Sequence, residues 1–137
     1  MGSGAHLLVL ISQRKPLMRI AIDLDNTIDA TPKQFQSLMS ALIAGGNKVT
    51  VLTGTDGDVA TQEIWDAKAQ YLNSLGCGSC WTDMTVIPHM NGNGPELKAQ
   101  WCKDNGVDIL IDNSKDNAKA SIAVGVPLVL VPWATRS

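Results

Sequence analysis

Residues 19–27 read Arg-Ile-Ala-Ile-Asp-Leu-Asp-Asn-Thr, and this stretch decides the fold. Arg19–Asp23 is a short apolar run of the kind buried on both faces of a parallel sheet. It ends in two carboxylates, Asp23 and Asp25, and a helix follows. Thr31 can cap that helix, Pro32 suits its first turn, and Gln34 stands where a capping box wants a glutamine. Phe35, Leu38, Met39, Leu42 and Ile43 then recur along one face, and Gly45-Gly46 ends the run.

The same alternation continues outward. Lys48–Leu52 predicts a second strand, and residues 59 to 75 a helix with Ile64, Ala67, Tyr71, Leu72 and Leu75 on one side, stopped by Gly76. A loop runs to about Asp83. Met84–Pro88 predicts a third strand, Asn91–Pro95 a turn, and Pro95–Asn105 a helix ended by Gly106. Val107–Asp112 predicts a fourth strand, Ser114 caps a helix to about Val124, and Pro127–Val131 closes with a fifth. Four strand–helix units and a last strand imply an α/β fold. The form expected is a three-layer, Rossmann-like α/β/α sandwich around a five-stranded parallel sheet, with right-handed crossovers. In such folds ligands meet the carboxyl ends of the strands at the point where strand order reverses.

The 137 residues suit one domain, and 45% hydrophobic with 18% charged residues excludes disorder, collagen and coiled coil. Eleven basic against thirteen acidic residues give a formal charge of −2, so nucleic acid is not a favoured partner and a membrane surface is not expected. Leu7–Ile11 is too short to span a bilayer, and Arg14 and Lys15 follow it where a signal peptide would place them before. A cytoplasmic location is therefore expected. Met1-Gly-Ser-Gly4 resembles an added leader. Residues 1–17 are expected to be a tag or N-terminal extension, with Leu7–Ile11 a candidate edge strand, and 18–137 to form the single domain.

Cys77-Gly-Ser-Cys80, with His89 and Cys102 downstream, could hold zinc. The first two could also form a redox pair, and plain reduced thiols are the ordinary reading. The 76–83 loop, with Trp81, is expected beside the cleft or at a subunit contact, against the alternative of Trp81 tucked onto the core. Trp65, Trp101 and Trp133 read as packing residues.

Four further signals fall at strand ends. Asp23 and Asp25 can share a cation or tune one another's protonation. Thr53-Gly54 offers a hydroxyl and an open amide to an anion. Lys98 can swing an ammonium toward the same edge. Asp112-Asn113, with Ser114 and Asp116 close by, ends strand four. Each alone has an ordinary reading as turn, cap or surface residue. Together they describe hard oxygen ligands for Mg²⁺ facing a phosphate site.

On these motifs the chain resembles the haloacid dehalogenase-like (HAD) phosphohydrolase superfamily. Asp23-Leu-Asp25-Asn-Thr27 is similar to its D-x-D-x-T motif, Thr53 with Gly54 to the second, Lys98 to the third and Asp112 to the fourth. The likeness spans about residues 18–133, and the stretch from Lys98 to Trp133 is similar to deoxyribonucleotidase-like and phage-type members. The resemblance implies a phosphoric monoester hydrolase with Asp23 as nucleophile, forming an aspartyl-phosphate, and Asp25 as general acid/base. It implies Mg²⁺ on the Asp23 and Asp112 carboxylates and the Asp25 carbonyl. Thr53, Gly54, Lys98 and Asn26 would bind phosphate, and Thr27 would support the loop. Asn113 stands where many members carry a second acid, and Asp116 is expected to supply that charge. Only Ile28-Asp29-Ala30 and the turn 89–94 occupy the two places where caps insert, so a capless member is expected. The resemblance then implies a large substrate that closes the site itself, a partner subunit such as a second copy of the chain acting as cap, or a small molecule in an open cleft. The expected substrate is a nucleotide or other small phosphorylated metabolite. A nucleic-acid end or phosphoprotein comes second, and a non-catalytic phosphate- or partner-binding domain is the rival.

Overall fold

The apolar runs pair side by side in the computed structural model, which describes residues 15–131. The strands are β1 (Arg19–Asp23), β2 (Lys48–Asp56), β3 (Asp83–His89), β4 (Ile109–Asp112) and β5 (Leu128–Leu130). The helices are α1 (Pro32–Ala44), α2 (Gln62–Ser74), α3 (Gly94–Asp104) and α4 (Lys115–Ala123). All pairs are parallel and the order is β3-β2-β1-β4-β5. Order therefore reverses between β1 and β4. The three-layer Rossmann-like sandwich is as the alternation predicts. Neither cap position carries an inserted domain: four residues separate Thr27 from α1, and four separate β3 from α3.

Each sheet face buries its own core. One holds Ile20, Ile22, Val49, Val51 and Met84 against Phe35, Met39 and Leu72 of α1 and α2. The other holds Ala21, Leu52, Ile87 and Leu110 against Cys102 of α3. Alternate residues of one strand serve opposite faces, which is why β1 has no polar side before Asp23.

Several boundaries differ from the sequence reading; β3, α3, β4 and β5 shift by one or two residues at an end, and three others bear on the site or its neighbours. β2 continues through Thr53-Gly54-Thr55-Asp56, because β3 runs beside it and pairs Thr53 with Val86 and Asp56 with His89. Gly54 is thus a strand residue. α2 starts at Gln62, where Thr61 accepts the Ile64 N–H on its hydroxyl (3.3 Å), and Val59 stays outside and exposed. Helix α4 ends one residue early, at Ala123.

The 76–83 loop lies at the amino edge of the sheet, away from the carboxyl ends. Thr82 brackets the start of β2: its N–H donates to the Val49 carbonyl (2.7 Å) and its hydroxyl accepts the Val49 N–H (3.0 Å). The loop is not beside the cleft. Cys77 and Cys80 are buried and Trp81 packs on the same core, as the ordinary alternative had it. Leu7–Ile11 and Trp133 lie outside the described residues. Among the described residues no helix is long and apolar enough to cross a membrane.

Candidate functional site

At the reversal point β1 and β4 part, and the chain after each turns sharply. After Asp23 it makes a wide turn over Leu24–Ile28, closed by the Asp29 N–H on the Leu24 carbonyl (3.2 Å). Asn26 takes φ 61°, a left-handed conformation asparagine tolerates, and its N–H donates to Asp29 Oδ1 (2.6 Å). The turn throws Asp25 and Asn26 outward while Leu24, Thr27 and Ile28 are buried.

Asp23 is 4% exposed. Its Oδ1 accepts from Lys98 Nζ (2.8 Å) and its Oδ2 from the Thr27 hydroxyl (3.1 Å). Lys98 Nζ also stands 3.9 Å from Asp112 Oδ2. Asp112 is fully buried and held from its own loop. The Ser114 N–H donates to Oδ1 (3.0 Å) and Asn117 Nδ2 to Oδ2 (2.7 Å). Asn113 sits between the two carboxylates. With its amide nitrogen turned to the acceptors around it, it donates to Asp23 Oδ2 (3.1 Å), Asp112 Oδ1 (3.3 Å) and the Thr27 hydroxyl (3.3 Å). A second acid at 113 would add a third negative charge there; the amide supplies donors.

Burial lifts the Asp23 carboxyl from 3.8 to about 7; Lys98 pulls it back, and the nearby Asp112 and Asp25 charges push it up again. Burial pulls the Lys98 ammonium down, but Asp23 and Asp112 outweigh that and hold it above its ordinary value. Asp23 is therefore poised to carry a proton near neutral pH, and Lys98 stays charged.

Asp25 is half exposed and anchored from the other side. The Thr53 hydroxyl donates to its Oδ2 (3.1 Å) and Lys68 Nζ is 3.5 Å away. Thr53 is buried on Asp25. Gly54, Asn26 and Asn113 line a cleft of about 370 Å³ with Asp23, Asp25 and Lys98. So Asp23, Asp25, Asn26, Thr53, Gly54, Lys98, Asp112 and Asn113 are brought together. Asp116 is not: it is exposed on α4 and faces α3, and the group that reaches Asp112 is Asn117.

The zinc set is dispersed. Cys77 and Cys80 are on one core, Cys102 on the other, and His89 at the cleft. Burial pushes the Cys77 thiol up to about 11 and Cys102 up to about 12, which keeps both protonated at neutral pH. Among the described residues no cluster of three or more His, Cys, Asp or Glu is arranged to hold a metal. At Asp23 and Asp112 the Lys98 ammonium stands between the carboxylates and supplies the charge a bridging Mg²⁺ would bring. The pair does not fit that ion while the ammonium is there.

His89, Asn117 and Lys68 belong to the site and were not singled out for it. His89 was legible, since it ends β3 on the same sheet edge. Its ring packs against Gly54 and Gly94, where added Cβ atoms would stand 2.9 and 3.3 Å from it. Asn117 and Lys68 reach in from helices, and their direction depends on helix placement.

No protein-family model and no curated protein matches the sequence. Solved structures do. A universal stress protein from Archaeoglobus fulgidus is 12% identical with TM-score 0.56, over 84% of this chain and 93% of that one. A universal stress protein in complex with cAMP is also 12% identical at 0.56, over 85% and 98%. A HAD family enzyme from Bacteroides thetaiotaomicron, solved with magnesium and inorganic phosphate, is 15% identical at 0.50, over 100% of this chain and 65% of that one. At such identities the likeness establishes the α/β/α fold. It also corrects the functional expectation. Universal stress proteins overlay this chain better than the HAD enzyme does. The Mg²⁺-dependent phosphatase, the phosphoric monoester hydrolase and the aspartyl-phosphate on Asp23 do not stand. The roles that depended on that reaction, nucleophile for Asp23 and acid/base for Asp25, fall with it.

Proposed function

We propose that the chain is a cytoplasmic binding domain for a small phosphorylated ligand, with a nucleotide as the first class to test. The observation that carries this is the convergence of three positive elements on one cleft. Lys98 Nζ, the N-terminal turn of α3 at Gly94 and Pro95, and that of α4 at Ser114 and Asn117 all open onto it. The dipole at helix starts attracts phosphate oxygens, and Lys98 adds a full charge; the Ser114 and Asn117 N–H groups are already held by Asp112 and the Ser114 hydroxyl. Protonation of Asp23 removes the nearest repulsion, so the anion and a proton are taken up together. A universal stress protein of the same fold is seen with cAMP, which supports a nucleotide. The reduced, buried thiols suit a reducing compartment, and the modest negative charge disfavours nucleic acid. A second copy covering the open cleft is part of the proposal, checked by sedimentation with and without ligand.

Calorimetric titration with inorganic phosphate, AMP and cAMP tests the reading. It expects saturable binding at pH 6 that weakens severalfold at pH 8 and is lost in Lys98→Met. No heat at millimolar ligand, or equal binding by Lys98→Met, refutes it.

A further inference from the structure

Beside the cleft runs a second, larger cavity of about 480 Å³ between α3 and α4. The two meet at Gly92 and Pro95, which line both. Gly92 takes φ +77°, and a Cβ there would meet nothing within 4 Å, so the space beside this shared residue is open. We infer that this groove holds the heteroaromatic base of a nucleoside phosphate whose phosphate lies at Lys98. The inference rests on the phosphate reading above and names the other half of the ligand.

The apolar lining of the groove is small: Ala99 on α3, Ala120 and Ala123 on α4, with Val124 and the Pro95 ring. Small residues on two packed helices leave a slot where larger ones would interdigitate. The polar lining is of mixed sense: Glu96, Asp116 and the Gln100 carbonyl accept and Lys119 donates, the Gln100 amide nitrogen being held by Asp104 (2.8 Å). An apolar lining accompanied by donors and acceptors matches a flat ring that carries both at its periphery. An acyl chain would leave the polar lining unanswered, and a bare sugar would leave the apolar lining uncovered.

The test compares AMP, ribose 5-phosphate, inorganic phosphate and adenosine by calorimetry at pH 6. The groove predicts AMP at least tenfold tighter than ribose 5-phosphate, with Ala120→Leu erasing that difference and leaving inorganic phosphate within twofold. AMP no tighter than ribose 5-phosphate, or an AMP preference that survives Ala120→Leu, overturns the groove while phosphate binding stands. Amide NMR on the unmutated chain gives a readout independent of the variant's folding. AMP and adenosine should both move Ala120 and Ala123, and ribose 5-phosphate neither. Adenosine shifts at those amides with no phosphate binding at Lys98 would sustain the groove and sink the phosphate reading. Absence of shifts at both alanines sinks the groove.

Discussion

Asp23→Asn changes one proton site in a buried cluster, and its consequence can be worked from the electrostatics. The folded-state carboxyl titrates near 7 against 3.8 in an unfolded chain. Between those values the folded chain holds the extra proton, so stability is greatest at the acid end of the window and falls as pH rises toward 7. From pH 5 to pH 8 this one group should lower unfolding free energy by about 2–3 kcal/mol. Asparagine keeps an oxygen for Lys98 and cannot titrate. Urea unfolding of both chains at the two pH values isolates the group, because the remaining carboxylates and histidines are common to both. The wild type should lose about 2–3 kcal/mol more than Asp23→Asn over that interval. If the two chains lose the same amount, Asp23 does not carry a proton at neutral pH. The account of the cleft accepting an anion together with a proton would then fail.

Three other outcomes follow from the same geometry. Lys98→Met leaves Asp23 facing Asp112 without their shared cation, so the Asp23 titration seen by carboxyl-carbon NMR should move to higher pH; an unchanged or lower midpoint contradicts the ion-pair assignment. Asn117→Ala removes the 2.7 Å donor to buried Asp112 and should cost about 1–3 kcal/mol in chemical denaturation, with a loss below about 0.5 showing that the bond is not needed. With Lys98 resident between the carboxylates, millimolar Mg²⁺ should raise the melting temperature by less than about 1 °C; a rise of several degrees, absent in Asp112→Asn, would place the ion there in spite of the lysine.

The fold was legible because its signals are local and repeated. Each strand is a short, mainly apolar run, glycines stop the first three helices, and the alternation itself points to parallel pairing. The boundary at Thr53-Gly54 was not, because a strand's length is decided by its neighbour: β3 extends β2 by four residues beyond its apolar run. In the candidate site, Asp23, Asp25, Lys98 and Asp112 were found by their place at strand ends or just before a strand. Asp116, expected to supply the acid that is absent at 113, points away, and its neighbour Asn117 enters the site instead, since one position on a helix turns the side chain by about 100°. The activity was misjudged for a different reason. Motif order identifies which groups gather at an edge, but a buried Asp23 clasped by Lys98 and Thr27 differs chemically from a free carboxylate. That difference depends on burial, which the motif does not encode.

His89 occupies a slot that exists only because residues 54 and 94 have no side chains. One wall of the cleft is thus a ring laid on bare backbone, and its position is set by main-chain contact. A methyl at residue 54 would dislodge the imidazole before disturbing anything else, and would reshape the mouth of the cleft with every charged group left in place. The width of the entrance and the charge inside it are therefore separately adjustable. The two glycines form a gauge that can be reset without touching the Asp23–Lys98–Asp112 cluster.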